Sequence, residues 1–320
     1  MALLAAQVAA VPVAEARRIG SRLAAASPRD IAVPLRVSGL NYDCTPLQLC
    51  ATSAPGTVSA RVLADPASGE PDLGRRYERA LAAMAAGLAA HAPELEDLCM
   101  QALQAHVPLR AAAEHPDGSM WLAAGLGRPG FALYVDARHS DRAAAQKRIR
   151  EWLEKLAPRS TDTRDLIATM EGARLQSVGI EGTSPTNARA KVYWRLPTPR
   201  RLAALGLERF SDPRFASFLA AVMGSRAIRP SGIVLSAGIS VATGLLSDVK
   251  LDVCACPNCL TYAPDEWEAV LALAAREHDL VPLPIARLLE HAEMAFVGFG
   301  IAADGSSRLN AYLKAPPQAR

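Results

Sequence analysis

The feature that most constrains this chain is a strand design that occurs five times. In 188–195, Arg189, Lys191, Tyr193 and Arg195 alternate with Ala188, Ala190, Val192 and Trp194. At the two-residue period of a strand, the cationic and phenolic side chains share one face and the apolar ones the other. Alone, the segment fits an ordinary half-buried strand with its charges in water. The alternation returns, however. Thr57, Ser59, Arg61, Leu63 and Asp65 oppose Val58, Ala60, Val62 and Ala64, and Ala132, Tyr134 and Asp136 oppose Phe131, Leu133 and Val135. Asp248, Lys250, Asp252 and Cys254 oppose Val249, Leu251 and Val253, while Arg308, Asn310, Tyr312 and Lys314 oppose Leu309, Ala311 and Leu313.

Each segment follows a partner strand across a turn signal, such as Pro55-Gly56 or Asp304-Gly305. The pairs are 45–52 with 57–65, 119–124 with 130–136, 175–182 with 188–196, 233–241 with 248–255, and 295–301 with 308–314. Helical spacing fills the intervals. Helices are expected over 1–30, over 72–113 with a break near His91-Ala-Pro93, and over 141–156, 162–171, 198–206, 212–224, from Pro264, and over 281–291. Antiparallel pairs in this number leave dangerous edges unless the sheet closes, so the expected fold is α+β, a ten-stranded antiparallel barrel of αββα repeats with helices outside. Outer helices need an apolar partner, which turns the polar faces inward to a hydrated lumen. One barrel domain is expected over 1–320, with the helix of 1–30 packed on it.

In such a lumen Arg61, Arg189, Lys191 and Lys250 converge, with Arg308 and Lys314 as further candidates. The chain has no Asp-Asp-x-x-Asp sequence for magnesium and no glycine-rich loop before a helix. Clustered cations then suit a small, highly charged oxyanion such as a diphosphate. Together they repel one another, so an empty site should be hydrated and stabilised by its ligand. Tyr134, Tyr193 and Tyr312 add phenolic walls whose faces attract a carbocation by roughly 0.5–2 kcal/mol per ring. A diphosphate cradle with an aromatic cage suits generation of an allylic cation away from water.

Composition narrows the partners. Half the 320 residues are hydrophobic and 21% charged, as in a globular protein, and the net charge of +3 argues against nucleic acid or an anionic membrane. No apolar run reaches the ~18–20 residues of a membrane span. The N-terminus lacks a positive region, and Gln7 interrupts its apolar run, unlike a secretory signal. Six cysteines in a chain this long are no disulfide framework, so a cytoplasmic setting is expected, as a monomer or homodimer. Cys254, Cys256 and Cys259 lie within six residues, but a closed zinc site needs a fourth ligand that sequence does not assign. A structural turn is expected there instead, without metal or other cofactor. His115 and His139 are expected in solvated loops, and Trp121 either walls a pocket or packs in the core.

From about residue 40 to the C-terminus, the chain resembles the dimethylallyltryptophan synthase family of aromatic prenyltransferases. The likeness rests on Thr45-Pro-Leu-Gln-Leu-Cys50, Ala60-Arg-Val-Leu-Ala-Asp-Pro66, the Arg189-x-Lys191-x-Tyr193 element after Pro185, Asp248-Val-Lys250, and Ala311-Tyr312-Leu-Lys-Ala-Pro316. It implies the ABBA barrel fold and metal-independent transfer of a prenyl group, dimethylallyl for the family, from its diphosphate to tryptophan or another indole. It also implies that Arg61, Arg189, Lys191 and Lys250 grip the diphosphate, while Tyr134, Tyr193 and Tyr312 shield the cation.

Three positions depart from the family pattern. Ala132 stands where a diphosphate-binding lysine is expected, and Asp252 replaces a tyrosine. Gln48 replaces a glutamate that meets the indole N–H; its carbonyl accepts a hydrogen bond but takes no proton. Asp252 is then the candidate base, and Gln48 and Asp252 form the candidate catalytic pair. Gln48 also admits a phenol, a phenazine or a cyclic dipeptide as acceptor. Ala132 and Asp252 leave open a catalytically lapsed barrel that binds an isoprenoid.

Overall fold

The alternation read from sequence is realised as a closed wall. The computed structural model describes residues 8–24, 38–106, 120–138, 141–158, 160–196, 207–227 and 229–316. Its strands are β1 (Leu47–Ala54), β2 (Thr57–Ala64), β3 (Met120–Leu126), β4 (Phe131–Asp136), β5 (Arg174–Gly182), β6 (Arg189–Arg195), β7 (Ile233–Ser240), β8 (Leu246–Cys254), β9 (Glu293–Ala302) and β10 (Ser307–Lys314). Each pairs antiparallel with the next, and β10 closes on β1, which removes every sheet edge.

Helices occupy the intervals between hairpins: α1 (Val13–Leu23), α2 (Leu73–His91), α3 (Glu96–His106), α4 (Arg142–Leu156), α5 (Thr161–Thr169), α6 (Pro213–Met223), α7 (Pro264–Glu277) and α8 (Ile285–Leu289). Their starts are chemically marked. Asp72, Asp141, Ser160 and Asp212 accept backbone N–H groups at the N-caps of α2, α4, α5 and α6, and Pro213 and Pro264 open α6 and α7. The helix expected over 281–291 is only the five residues of α8. Pro282 and Pro284 lack N–H donors and disfavour helical geometry in the residues before them, which delays its start. The helix expected at 198–206, and His115, Ser119 and His139, lie outside the described residues.

The apolar strand face points outward, as helix packing requires. Trp194 on β6 is fully buried and meets Phe210 edge-on at 5.9 Å, and Phe299 on β9 stacks with Phe218 of α6 at 5.5 Å. Leu133, Val192 and Leu251 are likewise buried outside the barrel wall. Each such side chain contributes roughly 1.5–3 kcal/mol on leaving water. This outer layer is the main hydrophobic core, and the lumen is left for polar groups. Among the described residues no helix is long and apolar enough to cross a membrane.

Candidate active site

Cross-strand register explains how long charged side chains fit inside a barrel of this size. The even-numbered strands supply the cations and tyrosines of the lumen, and at several register positions the odd-numbered strands place a glycine beside them. Gly125 neighbours Arg61, Gly179 lies between Tyr134 and Lys191, and Gly300 lies between Lys250 and Arg308. A methyl group on Gly179 would come within 2.6 Å of the Leu133 carbonyl oxygen and 2.9 Å of Tyr134 Cδ1. Position 179 therefore admits only glycine without displacing Tyr134 or the neighbouring strand.

The lumen holds two chambers in line. The rear chamber, about 440 Å³, is lined by Arg61, Glu181, Arg189, Lys191, Lys250 and Arg308 together with small polar groups. The front chamber, about 350 Å³, is lined by Gln48, Trp121, Arg195, Asp252 and Phe296, with the tyrosines behind them. Arg61 and Lys250 border both chambers.

Between the chambers runs a belt of phenols and cations. Arg61 donates to the Tyr134 hydroxyl at 3.2 Å and the Tyr312 hydroxyl at 3.4 Å, and Lys250 donates to the Tyr312 hydroxyl at 2.7 Å. Tyr134 and Tyr193 meet edge-to-face at 5.7 Å. The Lys250 ammonium lies 5.0 Å from the Tyr312 ring centre and 5.7 Å from that of Tyr193. Burial raises all three phenols well above their ordinary value, so they stay neutral. The structure thus gathers all seven expected cradle and cage residues.

Sequence reading missed Glu181 and placed Asp248 on the inward face without assigning it a partner. Glu181 on β5 lies 3.0 Å from Arg189 and 3.6 Å from Arg61, and it accepts the Tyr134 hydroxyl at 2.7 Å and the Tyr193 hydroxyl at 3.2 Å. Asp248 on β8, with a side chain that is 0% exposed, pairs with Lys191 at 2.7 Å, with Arg189 at 3.4 Å and with Arg308. Burial opposes ionisation of both carboxyls, but the surrounding cations outweigh it and hold them well below the usual range. Burial also draws the Lys191 ammonium down to about 8 despite Asp248 and Glu181 beside it. The expected cluster of mutually repelling cations is therefore corrected to an ion-paired network. Lys314 is corrected too: it sits at the rim with Asp43 at 2.6 Å and Glu293.

The front chamber keeps polar groups unmet. Asp252 binds Lys250 through one oxygen at 2.7 Å, and its other oxygen is buried without a hydrogen-bond partner among the described residues. Arg195 donates through Nε to Gln176 at 2.9 Å and lies over the Tyr42 ring, 5.2 Å from its centre. Its Nη1 is buried without a hydrogen-bond partner among the described residues. Gln48 donates its amide nitrogen to Asn41. Asn41 in turn donates its own amide to the carbonyls of Thr45, at 2.7 Å, and Leu47. Those carbonyls accept only, which fixes both amides and leaves the Gln48 carbonyl oxygen as the end open to a ligand donor. Trp121 walls this chamber beneath Arg138, whose guanidinium lies 5.5 Å from the ring centre.

Cys254 is buried, whereas Cys256 and Cys259 are exposed in the turn after β8. Asn258 pins that turn by donating to the Gly232 and Cys254 carbonyls. Among the described residues no three His, Cys, Asp or Glu side chains group as metal ligands.

No family model matches the chain, and no curated protein sequence matches it. Solved structures do. A 5-dimethylallyltryptophan synthase from Streptomyces coelicolor superposes with a TM-score of 0.80 at 19% identity, over 99% of this chain and 96% of that one. The prenyltransferase PriB without ligand gives 0.76 at 18% identity, over 100% and 97%. A 6-dimethylallyltryptophan synthase from Micromonospora olivasterospora, in complex with DMASPP and Trp, gives 0.76 at 16% identity, over 98% and 97%. The ten-stranded barrel with outer helices is their fold.

Proposed function

We propose that this protein is an aromatic prenyltransferase that moves a dimethylallyl group from its diphosphate to tryptophan or another indole without a metal. One observation carries this reading. A chamber of cations and a chamber with hydrogen-bonding acceptors meet at a belt of three neutral tyrosines. Structures of the same fold include complexes with DMASPP and Trp, which supports the assignment of the two chambers to donor and acceptor.

In this mechanism the diphosphate occupies the rear chamber, where Arg61, Arg189, Lys191 and Lys250 stabilise the charge that grows as the prenyl C1–O bond breaks. The bonding pair leaves with the diphosphate. The allylic cation lies against the faces of Tyr134, Tyr193 and Tyr312, shielded from water. An aromatic carbon held in the front chamber attacks C1, and loss of its proton restores aromaticity. The free oxygen of Asp252 is the group to take that proton, while the Gln48 carbonyl accepts the indole N–H. Nη1 of Arg195 suits the carboxylate of an amino-acid acceptor. The unmet oxygen of Asp252 equally suits a phenolic O–H, which makes a phenol the second class of acceptor.

The test is incubation with dimethylallyl diphosphate and a panel of tryptophan, simple indoles and phenols in the presence of a chelator. A mass gain of one prenyl unit on tryptophan is expected. No gain on any aromatic, with the donor left intact, would reject the activity.

A further inference from the structure

The two carboxylates of the rear chamber are placed differently, and the difference has a consequence for the anion bound there. Asp248 is fully buried behind Lys191, Arg189 and Arg308 and is not part of the chamber wall. Its oxygens hold the three cations from the side away from the cavity. Glu181 is part of the wall itself. It takes the guanidinium of Arg189 at 3.0 Å and approaches that of Arg61 at 3.6 Å, and it accepts the Tyr134 and Tyr193 hydroxyls. Both arginines are partly exposed, at 32% and 27% of their side chains, so they can turn toward the cavity.

We propose that Glu181 is an internal counter-anion, holding a donor of Arg189 and balancing the nearby charge of Arg61 in the empty site and yielding both cations to the incoming diphosphate, whereas Asp248 is a positioning residue that stays in place. This rests on the diphosphate-binding reading of the rear chamber. The physical reason is competition. A diphosphate competes with Glu181 for the guanidinium of Arg189 and for the charge of Arg61, and it then sits beside a buried carboxylate that repels it. Part of the attraction of the cations is therefore cancelled, and the cleaved diphosphate leaves more readily. Without Glu181 the cations would hold the product. Without Asp248 they would lose the support that aims them.

The experiment is titration of the full chain with inorganic diphosphate in chelator, comparing the wild-type protein with Glu181→Gln and Asp248→Asn. Glutamine keeps an acceptor for the two tyrosine hydroxyls while removing the charge. The expected result is tenfold or tighter binding for Glu181→Gln, with stronger inhibition of turnover by added diphosphate, and weaker binding for Asp248→Asn. A Glu181→Gln protein that folds only with diphosphate present would also support the exchange, because the ligand then fills the place of the carboxylate. Unchanged or weaker binding in Glu181→Gln overturns the proposal, as does a chain that stays unfolded even with diphosphate. In a parallel titration with magnesium in place of the chelator, magnesium-dependent binding that Glu181→Gln abolishes would make Glu181 a metal ligand and likewise overturn it. Failure of the wild-type protein itself to bind diphosphate is a separate outcome and counts against the diphosphate assignment of the chamber.

Discussion

The rear and front chambers share a wall but differ in how fully their carboxylates are met. At the rear, both oxygens of each carboxylate have partners: Glu181 meets Arg61, Arg189 and two tyrosine hydroxyls, and Asp248 meets Lys191, Arg189 and Arg308. At the front, Asp252 pairs with Lys250 through one oxygen only, and its other oxygen and Arg195 Nη1 are buried without a partner among the described residues, although an unmet buried polar group costs roughly 1–3 kcal/mol. Under the proposed function, the contrast means that the donor diphosphate meets cations held in place by resident anions, and the aromatic acceptor meets atoms that the described residues leave unsatisfied.

The largest effect that would test this division comes from the rear. Arg189→Ala or Lys191→Ala should lower prenyl transfer about 10²–10³-fold, the scale of losing one preorganised electrostatic contact. Titration should show weaker binding of inorganic diphosphate in both. Normal turnover in both would dissolve the distinction between the chambers. A front-chamber change should slow chemistry and spare the donor. Asp252→Asn is expected to reduce kcat about 10²-fold, on the scale of a lost general base, with diphosphate binding held. Undiminished kcat would remove Asp252 as the base.

Arg195→Leu should raise KM for tryptophan about 10–100-fold, by loss of a charge-assisted hydrogen bond worth roughly 1.5–3 kcal/mol, yet leave simple indoles unaffected. Equal loss for both acceptors would place its role in the wall instead of the carboxylate. Replacing a belt ring, as in Tyr193→Leu, should cost at most about 30-fold in kcat, the equivalent of roughly 2 kcal/mol of cation–π attraction. Quenching of the cation by water, seen as prenyl alcohol formed without transfer, should rise in parallel.

The smallest effect is a dependence on pH. Lys191 loses its proton near pH 8 in the empty site, instead of at its ordinary 10.5. Above about pH 8, diphosphate binding must therefore take up a proton, and affinity should fall by up to about tenfold per pH unit. Below that pH the ammonium is already present and the dependence should flatten. Lys191→Met, which cannot titrate, should bind weakly at every pH without that slope. A wild-type slope that persists in Lys191→Met would assign the titration to another group.

Legibility in the sequence followed physical range. Strand alternation is a local property, so Arg61, Lys191, Tyr193, Lys250 and Tyr312 could be placed on shared faces from their spacing alone. The outward direction of Trp194 and Leu251 followed as well, because helices lie between the hairpins and need an apolar surface. Glu181 escaped notice because it belongs to the first strand of its pair, where the inward row reads Ser177, Gly179, Glu181 and looks unremarkable. The small residues at alternate positions on those first strands were the signal that would have found it. Asp248 was visible on the inward face, but nothing local connects it to Arg308, sixty residues away in the chain.

What the sequence determined by itself was the period, the hairpin order and the number of charges turned to one side. Those depend on neighbours two to ten residues apart. Only the closed barrel decided which charge meets which, because closure and stagger bring Glu181 to Arg61 and Tyr134 across strands that no local pattern relates. The same closure decided that Asp252 and Arg195 each keep an atom inside with no partner among the described residues. A partner missing from a hydrogen bond is a property of three-dimensional surroundings, and no single stretch of chain encodes it.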